Sequence, residues 1–290
     1  FSFFQDLKQF LNFKEQIKEV CTALDSPKKG IHIFIQIILS FIYIYQLIFV
    51  VFVFVVFLVS IWIEININQP KKFEVILEHG EILQEGNFFN KNIGYALQQF
   101  RYISDGKKAV IHPHFTYYGF RYVRLTKWKG SVNIDDFVGC VVYSDLEIIG
   151  HFETGHSLVN KLVLNCLWSQ KDNFLDVPTD CPQRDERLGW TGDAQVFCKT
   201  AMFNMNCYAF YRKYLKDLYL HQLRDKGIPP LWCPQLITLE DVSSSFPTGG
   251  MIGWSDAATI IPWNSYVMNG KKQILQEQYD GMKQWVDVMQ

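Results

Sequence analysis

The chain has 290 residues and a formal net charge of −1, so it is long enough for one large domain or two smaller ones, each with its own core. Near-neutral charge gives no electrostatic basis for binding nucleic acid, and we expect no nucleic-acid partner. The seven cysteines are odd in number and form no CxxC pair, which argues against a disulfide framework and against a structural zinc site.

The N-terminal segment, residues 1–30, alternates apolar residues with lysines in a pattern typical of an amphipathic helix. It is followed by Ile31–Ile63, "IHIFIQIILSFIYIYQLIFVVFVFVVFLVSIWI", which contains no Asp, Glu, Lys or Arg. Because about 20 apolar residues suffice to cross a bilayer as a helix, this run predicts a transmembrane segment and a membrane location. If this run does not span a membrane, the sequence does not decide whether the protein is cytoplasmic or secreted.

The same apolar run admits a second interpretation. Phe, Ile and Val dominate it, Gly and Ala are absent, and "VFVFVVF" alternates as a strand would. Such a run could also arise as a sequence artefact, from translated non-coding DNA or from a misjoined exon. The residues alone leave these interpretations open.

Residues 64–150 are predicted to form a partial β-sandwich, because short β-branched and aromatic runs such as "FEVILEHGEIL" are separated by Asp-Gly, Pro and Gly turns. Residues 151–290 read as helical. Helices are predicted at Ser157–Trp168, as one long buried helix over Ala194–Gln222, and in "SDAATIIPWNSYVMN" and "KKQILQEQYDGMKQWVDVM". A sheet followed by paired helices indicates two domains that meet near residue 150.

The stretch "VPTDCPQRDERLGWTGDAQ", Val177–Gln195, concentrates charge in a segment marked by Pro and Gly. It predicts a loop that leads into the long helix, with Thr191 as the N-cap. Alternating loop charges are usually solvated or structural ion pairs, and Asp193 in a first helical turn could serve only the helix dipole. The Leu-Gly-Trp that follows favours a loop at a cavity edge, where carboxylates beside arginine and apolar surface experience opposing pKa shifts.

The longer string "DVPTDCPQRDERLGWTGDAQVF" resembles the signature of bacterial α-L-rhamnosidases, which are glycosidases of the six-hairpin, (α/α)6-barrel superfamily. "EVILEHGEILQEGNFF" and "PHFTYYGFRYV" resemble strands of the β-sandwich domain that precedes their barrel. "GWSDAATIIPW" resembles a later barrel motif, usually written with Gly where Ser255 stands here. The resemblance covers about Phe73–Gln290 and implies a partial β-sandwich followed by the first helical hairpins of an (α/α)6 barrel.

The resemblance also implies an activity, the inverting hydrolysis of terminal α-L-rhamnose from glycosides or polysaccharides. We expect no metal or other cofactor, because the charged stretch has one isolated Cys and no His. Glu186 corresponds to the general acid that protonates the leaving glycosidic oxygen. Charged side chains would hold the sugar hydroxyls and tryptophans would form walls of the pocket. The corresponding positions are Asp180, Arg184, Trp190, Asp193, Trp254 and Asp256. Asp185 and Arg187 are expected to form supporting ion pairs.

One part of the family's machinery has no counterpart in the sequence. The general base of such enzymes comes from late in the barrel, and no position here matches its motif. The resemblance therefore implies a fragment, which we expect to be inactive alone because an open part of a toroid leaves helix faces unburied. The alternative is a catalytically inactive rhamnose-binding or membrane-tethered remnant that keeps the sugar pocket.

Overall fold

The computed structural model describes residues 59–235 and 249–290 as two compact units. The first comprises the described residues up to Val142 together with Gln183–Asp185, and the second comprises Tyr143–Pro182 and the described part of Glu186–Gln290. The predicted amphipathic segment 1–30, and the predicted transmembrane segment as far as residue 58, lie outside the described residues. The predicted domain limits, 64–150 and 151–290, remain predictions.

The end of the long apolar run is a strand and not a helix. Val59–Ile63, predicted as the last part of a transmembrane helix, begins strand β1, Val59–Ile67, so for these residues the helix prediction is wrong. The physical reason is a period of two: Ile63, Ile65 and Ile67 are buried, while the residues between them are not. In the part of the chain that the structure describes, no helix is long and apolar enough to cross a membrane.

Two antiparallel sheets build the first unit. In one sheet, β1 pairs with three strands, β6 (Ala109–Ile111), β7 (Tyr118–Phe120) and β9 (Phe137–Val141). In the other, the central strand β2 lies between two partners; these strands are β2 (Glu74–Gly80), β5 (Gln99–Ile103) and β8 (Tyr122–Lys127). A short hairpin joins β3 (Ile82–Gln84) to β4 (Asn87–Phe89).

Five helices lie in the described part of the second unit: α1 (Ser157–Asn173), α2 (Thr191–Asn204), α3 (Tyr208–Arg224), α4 (Ala257–Asn269) and α5 (Gln273–Met289). A two-residue pairing of β10 (Phe174–Leu175) with β11 (Val177–Pro178) follows α1. Helix α4 packs against α2, α3 and α5, and α3 also packs against α5. The predicted order, a β-sheet domain followed by helices, is confirmed.

The single long helix predicted over Ala194–Gln222 is instead two helices, α2 and α3. The chain leaves the helix at Met205, which is extended and forms an antiparallel bridge with Ile148. The amide of Ile149 donates to the carbonyl of Asn204 at 3.0 Å. A neighbouring segment thus takes backbone groups that helix continuation would use, and apolar periodicity cannot reveal such a competitor.

Thr191 begins helix α2 but does not cap it. The N-cap residue is Trp190, which makes no side-chain capping bond. The Thr191 side chain is fully buried and its hydroxyl donates to the carbonyl of Leu231 at 2.8 Å. The predicted capping bond is therefore wrong, because this hydroxyl ties the start of α2 to a segment distant in sequence.

Candidate functional site

Two residues of the second unit, Asp180 and Leu188, close the charged loop by a reciprocal pair of hydrogen bonds. The amide of Asp180 donates to the carbonyl of Leu188 at 3.1 Å, and the amide of Leu188 donates to Asp180 Oδ1 at 3.0 Å. The indole N–H of Trp190 donates to the backbone carbonyl of Glu186 at 3.2 Å. Asp180 thus sets the width of the loop that carries the predicted general acid.

Gly189 anchors this loop at its end. Its carbonyl accepts hydrogen bonds from the amide of Cys233 and from the buried hydroxyl of Tyr214, each at 2.8 Å. A Cβ at this position would lie 2.1 Å from the carbonyl oxygen of Cys233. Only glycine therefore allows the two backbone segments to approach this closely.

The loop brings Glu186 and Asp180 together with Cys181. One carboxylate oxygen of each acid and the Cys181 sulfur lie within 4.8 Å of one another. Glu186 is exposed, Asp180 is half-buried and Cys181 is buried. Within the described ranges this is the one cluster of three or more His, Cys, Asp or Glu side chains close enough to hold a metal ion, but exposed acidic groups are common without one. The cluster by itself does not predict a metal.

A cavity of about 530 Å³ lies beside this loop within the second unit. Two carboxylates, Asp180 and Asp193, line it together with the indole of Trp254. The structure thus brings three of the predicted site residues to one cavity. The other lining residues are Ser169, Gln170, Asn173, Phe174, Pro178, Thr179, Gly192, Ala194, Val196, Phe197, Tyr211 and Gly253.

Asp193 lines the cavity from the first turn of α2. Its side chain is exposed by surface area, yet the surrounding atoms remove part of its hydration. This desolvation raises the pKa of Asp193 above the ordinary 3.8; a hydrogen bond with the helix backbone opposes the rise and the nearby charge of Asp180 adds to it.

Trp254 lies against the start of α2. A Cβ added to Gly192 would lie 2.8 Å from the Trp254 ring, so a larger residue at position 192 would displace the indole. Trp254 is half-buried and presents apolar surface to the same cavity as the two carboxylates. This combination of a flat ring and hydrogen-bonding acids is well suited to a sugar.

Trp190 and Asp256 make protein contacts and are not among the residues that line the cavity. The Trp190 ring lies 5.2 Å from the ring of Trp232, centroid to centroid. The Asp256 carboxylate accepts hydrogen bonds from the amide of Gly253 at 2.8 Å and from the indole N–H of Trp285 at 3.0 Å.

Ser255, which replaces the usual glycine of the motif, is fully buried. Its hydroxyl donates to the carbonyl of Pro229 at 2.8 Å and accepts from the amide of Gly250 at 2.9 Å. The departure from the motif is therefore accommodated by two backbone partners.

Arg184 and Asp185 belong to the first unit. Asp185 Oδ2 accepts a hydrogen bond from the amide of Tyr95 at 2.8 Å, close to Gly94, where a Cβ would lie 2.6 Å from the same oxygen. In the second unit, Arg187 donates to the carbonyl of Pro182 at 3.3 Å. Both of these contacts are to backbone groups, and the expected ion pairs of Asp185 and Arg187 stay predictions.

The sequence did not indicate several residues of the cavity. Phe174 stacks on Phe210 with ring centroids 4.5 Å apart, and both Phe174 and Phe197 line the cavity wall. On sequence alone these residues read as ordinary core positions, because helical periodicity does not distinguish a core from a cavity wall.

Two consecutive regions of the chain match families of known proteins. The family described as bacterial alpha-L-rhamnosidase concanavalin-like domain matches residues 58–143. The family described as bacterial alpha-L-rhamnosidase 6 hairpin glycosidase domain matches residues 147–290. The two matches follow one another along the chain with almost no gap.

Individual relatives show the same resemblance. An alpha-L-rhamnosidase of Formosa agariphila is 41% identical over 206 residues, which cover 70% of this chain and 21% of that protein. One from an Alteromonas species is 37% identical over 230 residues, covering 78% of this chain and 24% of that protein. The chain thus spans about a fifth to a quarter of the length of these relatives.

Solved structures also resemble the chain. A Streptomyces avermitilis alpha-L-rhamnosidase complexed with L-rhamnose matches with a TM-score of 0.72 and 32% identity, over 80% of this chain and 22% of that one. The native enzyme from Aspergillus terreus matches with a TM-score of 0.70 and 34% identity, over 83% of this chain and 28% of that one.

Replacement of Asp193 by Asn should stabilise the fold at neutral pH while weakening any sugar binding. Because the fold raises the pKa of Asp193, the ionised form costs stability, and the cost develops as pH rises from 3.8 through the raised value. Thermal unfolding followed from pH 3 to pH 7 should show a higher Tm for the variant at neutral pH and convergence in acid. Asp280→Asn, an exposed acid on α5, is the control. A lower Tm for Asp193→Asn at neutral pH would contradict the prediction.

Proposed function

We propose that this chain, which belongs to the bacterial alpha-L-rhamnosidases through both of its matched domains, takes part in the hydrolysis of terminal α-L-rhamnose from glycosides or polysaccharides. The observation that carries the proposal is the position of Glu186. Its carboxylate lies within 4.8 Å of Asp180, and Asp180 lines the cavity that also holds Asp193 and Trp254.

The chemistry of the cavity supports a deoxyhexose as its occupant. Asp180 and Asp193 can accept strong hydrogen bonds from sugar hydroxyls. Trp254 and Phe197 offer apolar surface to the sugar face and to the C6 methyl group of rhamnose. From the resemblance alone, Arg184 remains proposed to hold the sugar hydroxyls and Trp190 remains proposed as an aromatic wall of the pocket.

Glu186 is proposed as the general acid. A side chain that is exposed beside a cavity-lining acid can reach the oxygen between the sugar and its leaving group. Protonation of that oxygen lets the leaving group depart as a neutral alcohol, while nearby carboxylates stabilise the positive charge that develops on the sugar ring. By family resemblance, we propose inversion, with water activated by a second carboxylate.

Glu186→Gln should lower turnover by about 10²- to 10⁴-fold, the usual contribution of a general acid. The loss should be large on an alkyl rhamnoside, whose leaving group needs a proton, and much smaller on a nitrophenyl rhamnoside, whose leaving group does not. Steady-state kinetics of the native polypeptide that carries this sequence, with Asp280→Asn as the matched control, provide the measurement. Equal losses on both substrates would remove Glu186 from this role.

Stereochemistry tests the proposed inversion separately. Retaining enzymes hold their two carboxyl groups about 5–5.5 Å apart, and inverting enzymes about 6.5–9.5 Å apart. The close approach of Asp180 to Glu186 makes Asp180 the nucleophile to consider if the reaction retains configuration. Proton NMR of the first-formed sugar should show β-L-rhamnose for inversion. Initial formation of the α anomer would overturn inversion and assign the nucleophile to a residue near Glu186.

A second candidate function is rhamnose binding without hydrolysis by the 290-residue chain. It is favoured by the cavity, whose lining comes entirely from described residues of one unit. We expect the purified chain to bind L-rhamnose in a calorimetric titration and to leave an aryl rhamnoside intact. Ordinary turnover by the purified chain would contradict this expectation, and binding that survives Asp193→Asn unchanged would show that the sugar lies elsewhere.

A further inference from the structure

The geometry points to Asp256 as a positioning residue that acts through Trp254, and not as a ligand of the sugar. This inference rests on the proposed function, because it concerns the wall of the proposed rhamnose cavity. It assigns the wall's position to a hydrogen-bonded path from helix α5, through Trp285 and Asp256, to the Gly253–Trp254 turn.

The residue that precedes Trp254 is held on both of its backbone polar groups. The amide of Gly253 donates to Asp256 Oδ2 at 2.8 Å, and the carbonyl of Gly253 accepts from the side-chain amide of Gln195 on α2. Gly253 has a φ of +88°, which an L side chain rarely adopts. The backbone that carries Trp254 is therefore fixed from α2 on one side and from Asp256 on the other.

The second oxygen of Asp256 is hydrogen-bonded to helix α5. Asp256 Oδ1 accepts from the indole N–H of Trp285 at 3.0 Å, and Trp285 is only 2% exposed. Helix α5 is itself attached to α3, since the side-chain amide of Gln222 donates to the carbonyl of Gly281 at 2.7 Å. Trp285 therefore offers Asp256 a donor whose place is set by helix packing.

The cavity lining agrees with this division of roles. Gly253 and Trp254 are lining residues, whereas Asp256 is not among them. Gly192 on α2 approaches the Trp254 ring so closely that a Cβ would lie 2.8 Å from it. The Trp254 ring thus packs against α2, and the hydrogen bonds of Gly253 fix the backbone that carries this ring. Loss of the Asp256 hydrogen bonds should allow the Trp254 ring to move away from α2.

The first experiment follows Trp254 without any sugar. The 290-residue chain is labelled with 5-fluorotryptophan, and the ¹⁹F resonance of Trp254 is assigned with Trp254→Phe. Trp285→Phe, which keeps a buried ring but removes the N–H donor, and Asp256→Asn should both shift or broaden that resonance. Trp263→Phe is the matched control, because Trp263 lies on α4 with 55% exposure. An unchanged Trp254 resonance in both test variants would overturn the inference.

The second experiment separates action through Trp254 from direct contact with the sugar. L-rhamnose affinity is measured by calorimetry for Asp256→Asn, Trp254→Phe and the double variant. Asp256→Asn should weaken rhamnose binding by roughly five- to tenfold, which corresponds to the free energy of about one hydrogen bond. In the Trp254→Phe background, the same substitution should cause no further loss of affinity. Full additivity of the two losses would make Asp256 an independent sugar ligand and overturn the inference.

Two checks keep the outcomes distinct. If Asp256→Asn does not fold, as judged by far-UV circular dichroism, Trp285→Phe carries both experiments in its place, again against Trp263→Phe. If the wild-type chain binds no rhamnose, the proposed function fails, while the fluorine resonance still decides whether Asp256 and Trp285 position Trp254.

Discussion

The reciprocal hydrogen bonding of Asp180 with Leu188 is the constraint on which the candidate site depends. Two hydrogen bonds join the ends of a nine-residue stretch of charged loop, Asp180–Leu188. Within the loop, Trp190 and Arg187 add hydrogen bonds to the carbonyls of Glu186 and Pro182. Together these bonds hold a charged stretch beside the cavity that, as an open loop, would prefer water. The bond also engages one oxygen of Asp180 in structure while the residue still lines the cavity, so the same side chain shapes the loop and supplies charge to the site.

The closure is maintained from outside the loop. The backbone of Gly189 lies close to the carbonyl of Cys233. Tyr214, which is fully buried, donates a hydrogen bond to the Gly189 carbonyl. Thr191 adds a bond to Leu231. Helix α3 and the segment that carries Leu231 and Cys233 thus fix the end of the loop through a small number of directed contacts, which is the usual way in which a rigid scaffold presents a functional loop.

The acidic residues of the two motifs serve different purposes, although they look alike in the sequence. Asp180 and Asp193 line the cavity, and Glu186 lies beside them. Asp185 accepts a backbone hydrogen bond in the first unit, and Asp256 connects the Gly253 turn with α5. Partial desolvation distinguishes Asp193 further, since it raises the pKa of that carboxyl. A carboxylate's function is therefore set by what it contacts, which here is a backbone amide, an indole N–H or the cavity.

The sequence by itself determined the family, the order of sheet and helices, and the loop that carries the candidate acid. A motif is recognised from residue types at fixed spacing, and this needs no coordinates. It also implied the roles of Asp180, Asp193 and Trp254, which the structure brings to one cavity. Only the tertiary structure decided that Val59–Ile63 is a strand, that the helix predicted over Ala194–Gln222 breaks at Met205, and that Asp256 contacts Trp285. Each of these depends on a partner distant in the chain, and local periodicity carries no information about which distant group supplies the competing or completing hydrogen bond.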